Sequence, residues 1–369
     1  MPDFYVGLMS GTSLDGVDGV LVDFSPTTPL VIAHACAPFP AALRTELLAL
    51  NRSGPDELHR AALAGNELMR QYAAIVREVL RKARAQTADI RAIGAHGQTV
   101  RHRPQEFDGT GYTLQLCQPA LLAELTGIDV VADFRSRDVA AGGQGAPLAP
   151  FFHQSLYGHQ REAVGVLNIG GISNITLLRP DGSVLGFDCG PGNALIDGWC
   201  ARHTGQAYDA DGAWAAGGRV LPGLLDALLV DPYFGRPPPK STGRDLFSLE
   251  WVEGRLRDFG SAAPADVQAT LTELTAVACS RDVLRHEAAL KRLIVCGGGA
   301  LNGHLMSRLK ALLPSAQVSS SADFGLPPLQ VEATAFAWLA RKAVRREPLE
   351  LQSITGARGA RVLGGIYPA

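Results

Sequence analysis

Apolar and polar positions along this chain alternate between two periods, short β-type runs giving way to helical spacing. YVGLMSG and GVLVDF are predicted strands joined by a turn at SGTSLDGVD. From Asp56 to Gln86 the apolar residues Leu58, Ala62, Leu68, Tyr72, Ile75, Val79 and Ala83 recur at helical spacing, with Pro55 and Asp56 as the start signal. The strand-like IRAIGAHG, a helix at PALLAELT stopped by Gly127, and the strand IDVVADF follow. The order restarts near residue 164, where VGVLNIGG, SNITLL and SVLGFDCG are predicted strands. The helices ALIDGWCARH and VQATLTELTAVACSRDVL come next, with Trp199, Trp214, Trp251 and Trp338 on helical patterns and expected in the core. RLIVCGGG then leads into the helix HLMSRLKALL and the strand AQVSSS. VEATAFAWLARKAVRR is the final helix, before a turn-rich tail, LQSITGARGARVLGGIYPA. DPYFGRPPPKSTGR has two aromatics and no low-complexity repeat, so it is expected to be an ordered surface loop. Two β-turn-β openings, each feeding helices and further strands, imply a duplicated α/β unit.

Composition supports a folded, near-neutral protein. Of 369 residues 46% are hydrophobic and 19% charged, with a formal net charge of −2, the opposite of a disordered chain. The length allows two domains. The charge balance argues against a nucleic-acid or membrane-surface partner, which needs a cationic face. No run of ~18 uncharged apolar residues is present, so no bilayer span is expected. The opening MPDFYVGLMSG lacks the basic region of a signal peptide. The six cysteines are scattered without a Cys-x-x-Cys pair and are expected as small core residues in a reducing compartment. A soluble, cytoplasmic α/β protein is the expectation.

Candidate chemistry concentrates at glycine clusters on predicted strand ends: Ser10-Gly11-Thr12-Ser13, Gly142-Gly143-Gln144-Gly145, Asn168-Ile169-Gly170-Gly171, Gly190-Pro191-Gly192-Asn193 and Gly297-Gly298-Gly299. Glycine lets a backbone approach a phosphate and leaves N–H groups free to meet it. The hydroxyls of Ser10, Thr12 and Ser13 would add donors. Any single cluster could equally close a hairpin; five together favour a nucleotide. Neither a P-loop nor a dinucleotide fingerprint is present.

A phosphate loop in each half and a triple-glycine turn before a late helix resemble the actin/hexokinase superfamily of sugar kinases. The motifs YVGLMSGTSLDGVD, AIGAHGQTV, VVADFRSRDVAAGGQGAPL, LNIGGISN, GFDCGPGN, PKSTGR and VCGGG are more specific. They resemble the anhydro-N-acetylmuramic acid kinase family over nearly the whole chain. The resemblance implies two duplicated ribonuclease-H-like α/β domains with mixed sheets flanked by helices and an active site in the interdomain cleft. It also implies an N-terminal lobe of residues 1–134 with about 341–369, carrying the first phosphate loop and sugar contacts. Residues 135–340 would form a C-terminal lobe with the second phosphate loop, the adenosine site and the base. The implied substrates are ATP, water and 1,6-anhydro-N-acetylmuramic acid from peptidoglycan turnover; the products are N-acetylmuramic acid 6-phosphate and ADP. Mg²⁺ would be held through ATP phosphates and water, and a homodimer is compatible with the family.

Residue by residue, the resemblance makes Asp188 the base that activates water; the alternative is an N-cap for the helix near Asn193. Glu332 would support the water and sugar, or be a first-turn acid favoured by the helix dipole. Gly11, Thr12, Ser13, Leu14, Asp15, Gly16, Val17, Asp18, Gly170, Gly171, Gly297, Gly298, Gly299 and Asn302 would bind ATP. Asp15 and Asp18 could orient Mg²⁺ through water or be plain turn residues. His96, Gln98 and Asn193 would line the sugar site, although a lone His is also commonly structural. Arg135 and Arg137 suit the lactyl carboxylate of a muramic sugar, or salt bridges to Asp133 or Asp138. Lys240, Ser241 and Thr242 are expected to face phosphate, without a firm role. Two rival readings are a plain sugar kinase acting on a free hydroxyl and a non-enzymatic ATP-binding module of the actin type.

Overall fold

The computed structural model describes residues 2–11, 14–158, 161–243 and 246–369. Its elements run β1 (Phe4–Met9), β2 (Gly16–Asp23), β3 (Leu30–Pro38), α1 (Ala41–Ala49), α2 (Glu57–Ala83), β4 (Ile90–Ala95), β5 (Gln98–Pro104), β6 (Gly111–Leu116), α3 (Pro119–Thr126), β7 (Val130–Ala132), α4 (Ser136–Ala140) and α5 (Ala149–Tyr157). They continue as β8 (Val164–Ile169), β9 (Ile172–Leu178), β10 (Val184–Pro191), α6 (Asn193–Thr204), α7 (Ala213–Ala216), α8 (Pro222–Leu229), α9 (Leu249–Leu256), α10 (Pro264–His286), β11 (Arg292–Cys296), α11 (Gly303–Leu312), β12 (Gln317–Ser320), α12 (Val331–Val344) and β13 (Gly365–Tyr367). Met1–Phe152 with Gln330–Ala369 form one compact unit and His153–Leu329 the other.

The first unit is built on a sheet ordered β13-β7-β4-β1-β2-β3. β1, β2 and β3 are antiparallel neighbours, and β4 and β7 add in parallel. On one face the apolar side of α2 (Leu68, Tyr72, Val79) packs against Leu8 and Leu21, as the helical spacing predicts. The other face takes α12, which lies so close that a Cβ on Gly7 would stand 1.9 Å from Ala333 O and one on Gly94 2.1 Å from Phe336 O. The tail is not wholly turn: β13 pairs antiparallel with β7 at the sheet edge.

The second unit repeats the plan as β10-β9-β8-β11-β12, again three antiparallel strands followed by two parallel ones. The duplication inferred from element order is thus a duplication of strand order, in two mixed α/β sheets flanked by helices. Leu167, Ile175 and Phe187 of its sheet pack with Cys279 and Val283 of α10 and with Leu305 and Leu309 of α11. A second apolar cluster joins Trp199, Tyr233, Phe247, Leu271 and Leu274.

Unit boundaries differ from the expected divisions at 134/135 and 340/341 for physical reasons. Buried Asp138 of α4 accepts Gly145 N–H at 2.6 Å and the Thr355 hydroxyl, tying residues 138–145 to the C-terminal tail within the first unit. All of α12 belongs there too, because Gly7 and Gly94 seat it on β1 and β4. The Pro-rich stretch is the ordered surface segment expected, with Pro232, Gly235, Arg236, Pro237, Pro239 and Ser241 exposed, but Tyr233 is 1% and Lys240 7% exposed. Its aromatic and lysine side chains turn inward around β10.

Candidate active site

In the second unit, Asp188 occupies β10 opposite Asn174 of β9, just before a bulge at Asp188/Gly190. Gly190 there has φ +146°, backbone open to glycine at little cost. Three neighbours hold the aspartate. Its N–H donates to Lys240 C=O at 3.1 Å, the Tyr233 hydroxyl donates to its C=O at 2.7 Å, and Thr242 N–H donates to Oδ2 at 3.0 Å. Oδ1 accepts no hydrogen bond among the described residues. Burial pushes the Asp188 carboxyl up to about 6, opposed by the Thr242 N–H and the Lys240 charge. Asp188 is not a helix cap, because Gly192 holds the N-cap position of α6 with no side-chain cap.

The glycine turns beside it divide into two kinds. Gly170 C=O accepts Asn193 N–H at 2.7 Å, and Gly171 C=O accepts the N–H groups of Gly192 and Ala194, so this pair knits β8, β9 and α6 together. Asn193 also donates through Nδ2 to Ile169 C=O at 3.0 Å. At the triple glycine, Gly297 has φ +76° and donates to Pro328 C=O, whereas the N–H groups of Gly298 and Gly299 meet no acceptor among the described residues. A Cβ on Gly299 would strike Ile169 at 2.4 Å, which is why the turn is glycine. Asn302 caps α11, its Oδ1 accepting Leu305 N–H at 2.9 Å.

In the first unit, the loop after β1 contains Thr12 and Ser13, which lie outside the described residues. Ser10 differs from the expected phosphate donor: it is 1% exposed, and its hydroxyl donates to Gly97 C=O at 3.0 Å while accepting from Tyr72 at 2.9 Å. Leu14 and Val17 turn their side chains into the core, so they offer backbone only. Gly11 C=O accepts Gln98 Nε2 at 3.1 Å. A Cβ on Gly16 would meet Ala37 O at 2.2 Å. Asp15 is exposed, and Asp18 faces His34 Nε2 at 3.1 Å on β3. With Cys36 Sγ these atoms lie within 4.8 Å of one another, a mixed O, N, S set suited to softer ions than Mg²⁺.

His96 and Arg135 form one motif that the sequence did not show. Arg135 Nη2 lies 3.0 Å from His96 Nε2, and Arg135 Nη1 donates to Gly145 C=O at 2.8 Å. Burial and the arginine charge push His96 down to about 3, so the imidazole is neutral. Accepting from Arg135 leaves its proton on Nδ1. Among the described residues that buried atom has no partner of good geometry, and neither does Gln98 Oε1. These are an unused donor and an unused acceptor of the kind a sugar hydroxyl or amide satisfies. Arg137 does not join this pair. It is exposed on α4 and lines a surface cavity of about 860 Å³ with Asp133, Ser136 and Arg361. The two arginines therefore do not form one carboxylate clamp.

Glu332 stands in the first turn of α12. Surrounding protein raises its carboxyl, Arg135 lowers it, and Asp18 and Asp15 raise it further. The residue is solvent-accessible, so water damps this upward push. The charges of Asp18 and Asp15 thus act on Glu332, a repulsion of the kind that a hard cation relieves.

A sequence profile described as anhydro-N-acetylmuramic acid kinase matches residues 3–369. A relative of that name in Variovorax paradoxus is 63% identical over 372 residues, covering 100% of this chain and 99% of the relative. Another in Albidiferax ferrireducens is 61% identical over 389 residues, covering 100% of each. Among solved structures, the activator of the 2-hydroxyisocaproyl-CoA dehydratase from Clostridium difficile with bound ADPNP aligns at a TM-score of 0.50 and 11% identity. That alignment spans 93% of this chain and 96% of the other, a likeness of fold alone.

Proposed function

The chain belongs to the anhydro-N-acetylmuramic acid kinase family, and from that premise we propose how its residues divide the work. It is an ATP-dependent kinase of cell-wall recycling that takes 1,6-anhydro-N-acetylmuramic acid to N-acetylmuramic acid 6-phosphate. Asp188 accepts a proton from water as the water oxygen bonds to the anomeric carbon. The C1–O6 bond breaks, its electron pair passes to O6, and O6 attacks the γ-phosphorus while ADP leaves. No separate acid has to protonate O6, because the phosphoryl group captures it. The observation that carries this reading is the Asp188 carboxylate itself, with Oδ2 engaged by Thr242 and Oδ1 accepting no hydrogen bond among the described residues.

His96 and Gln98 meet sugar polar groups through Nδ1–H and Oε1, and Arg135 supplies positive charge for the lactyl carboxylate while orienting His96. Asn193 lines the sugar site. Arg137 is proposed for the carboxylate only through its charge. Gly11, Thr12, Ser13, Leu14, Asp15, Gly16, Val17 and Asp18 form the first phosphate loop, and Gly170, Gly171, Gly297, Gly298, Gly299 and Asn302 the second nucleotide-binding set. Glu332 supports the water and sugar. Asp15 and Asp18 would orient through water a Mg²⁺ brought with ATP, which when bound neutralises phosphate charge. No helix among the described residues is long and apolar enough to cross a membrane; a cytoplasmic location fits an ATP-consuming step.

Turnover in ¹⁸O water tests the chemistry. Label is expected at C1 of the sugar product and not in its phosphate; label in the phosphate would mean water attack on ATP and would end this mechanism. A plain sugar kinase would instead phosphorylate the free sugar without incorporating label at C1.

The pH dependence follows from the raised pKa of Asp188. The base works only when deprotonated, so kcat/KM for the sugar should fall below an apparent value of about 6 and level off above it. A limb in the ordinary range of an aspartate, near ~4, would assign the base elsewhere.

A further inference from the structure

Directly behind Asp188 lies a buried ion pair that the proposed chemistry does not use. Lys240 Nζ donates to Asp282 Oδ2 at 2.8 Å, with the two side chains 1% and 4% exposed. The ammonium also lies 5.4 Å from the Phe187 ring centre and 5.1 Å from that of Tyr233. Such a pair is a weak source of net stability, since removing two charges from water offsets most of their attraction. Stability alone is therefore a poor account of it.

The chain around Lys240 supplies a better one. Lys240 C=O and Thr242 N–H, two residues apart, are the groups that grip the backbone and the carboxylate of Asp188. Asp282 sits on α10, a helix packed against β10. Fixing Lys240 to α10 fixes the irregular segment 240–242 against Asp188. We propose that Lys240 and Asp282 are positioning residues for Asp188, pinning residues 240–242 so that Oδ2 is held and Oδ1 stays open to water. The inference rests on Asp188 being the base.

The pair has an electrostatic consequence as well. Lys240 charge favours the ionised Asp188 against its burial. The other titratable or charged groups nearby are Cys189 beside it on β10, and Cys279, Asp282, Arg285 and His286 on α10. Tyr233 and Arg236 face it from the Pro-rich segment, and Arg179 follows β9. Lys240 is the charge among these that acts on the Asp188 carboxyl.

The test replaces the whole pair. Lys240→Met combined with Asp282→Leu exchanges it for apolar side chains, a change that folds commonly tolerate. The acidic limb of kcat/KM should move up by about one pH unit, since a positive neighbour has been lost. The limiting kcat above that limb should fall about tenfold from misplacement of the carboxylate, with KM for ATP changed less than about twofold. Lys240→Arg, which keeps the charge, should restore the limb. A double variant with unchanged circular dichroism, limb and kcat overturns the proposal. If the double variant does not fold, Asp282→Asn decides, because loss of the counter-charge loosens the Lys240 anchor and should lower the limiting kcat; an unchanged kcat again overturns it. Loss of the underlying reading is separable: Asp188→Asn with retained turnover removes Asp188 as base, whereas an inactive Asp188→Asn beside an unchanged double variant removes only the positioning role.

Discussion

Asp188→Asn is expected to cost at least ~10²-fold in kcat, the lower end of general-base contributions, while the protein still folds and binds ATP. The amide oxygen can keep the 3.0 Å hydrogen bond from Thr242 N–H, and the backbone bonds to Lys240 and Tyr233 do not involve the side chain. Packing is therefore preserved. What disappears is the capacity to take a proton from water as it attacks C1, and without that step O6 is never released as a nucleophile. The loss could reach the upper end, ~10⁴-fold. ATP affinity, read by calorimetry, should stay within about twofold, because a buried carboxylate changed to an amide alters no proposed phosphate contact. Retention of more than about a tenth of wild-type turnover, above what loss of a general base leaves, would make Asp188 a ligand or structural residue and move attention to Glu332. Glu332→Gln should cost less, since its carboxylate has a supporting role.

A large stability effect is expected at Gly94, a glycine of the AIGAHGQTV motif whose reason is packing. Gly94→Ala places a methyl group 2.1 Å from Phe336 O and 3.1 Å from the Ala340 Cβ. Both obstacles are fixed parts of α12, so neither can swing aside as a long side chain would. Overpacking costs typically ~1–3 kcal/mol, and a backbone obstacle puts this site at the top, about 3 kcal/mol. For a unit of this size that corresponds to a fall of roughly 6–12 °C in the melting transition of the first unit, measurable by calorimetry. Gly7→Ala, 1.9 Å from Ala333 O, should do at least as much harm. Gly127→Ala is the control: its Cβ meets nothing within 4 Å, and its cost is confined to the left-handed φ of +65°. Equal melting temperatures for Gly94→Ala and wild type would mean that α12 is not seated as described. Because Glu332 opens this helix, a displaced α12 should also lower kcat in the fraction that stays folded.

The sequence alone determined the order of elements, their duplication and the chemistry class. Long helices such as α2 and α10 repeat their apolar residues often enough to be read directly, and glycine clusters at strand ends announce close backbone approach. Motifs spread over the whole chain carried the family, because each needs particular residue types at fixed spacing. Less visible were β3, an edge strand whose apolar alternation is broken by small residues, and the exposed β5–β6 hairpin, which buries too little to impose a pattern. The three-residue β13 is likewise short and exposed. Only the tertiary structure decided which polar side chains were already engaged. Ser10 is bonded to Tyr72 and Gly97, and Arg135 to His96 and Gly145, while Arg137, two residues away, faces another surface. Lys240 stands in a motif that suggests phosphate, yet its partner Asp282 comes from a distant helix and the pair is buried. Spacing along a chain reports which face a residue occupies; whether its donors are free depends on groups brought from elsewhere by folding.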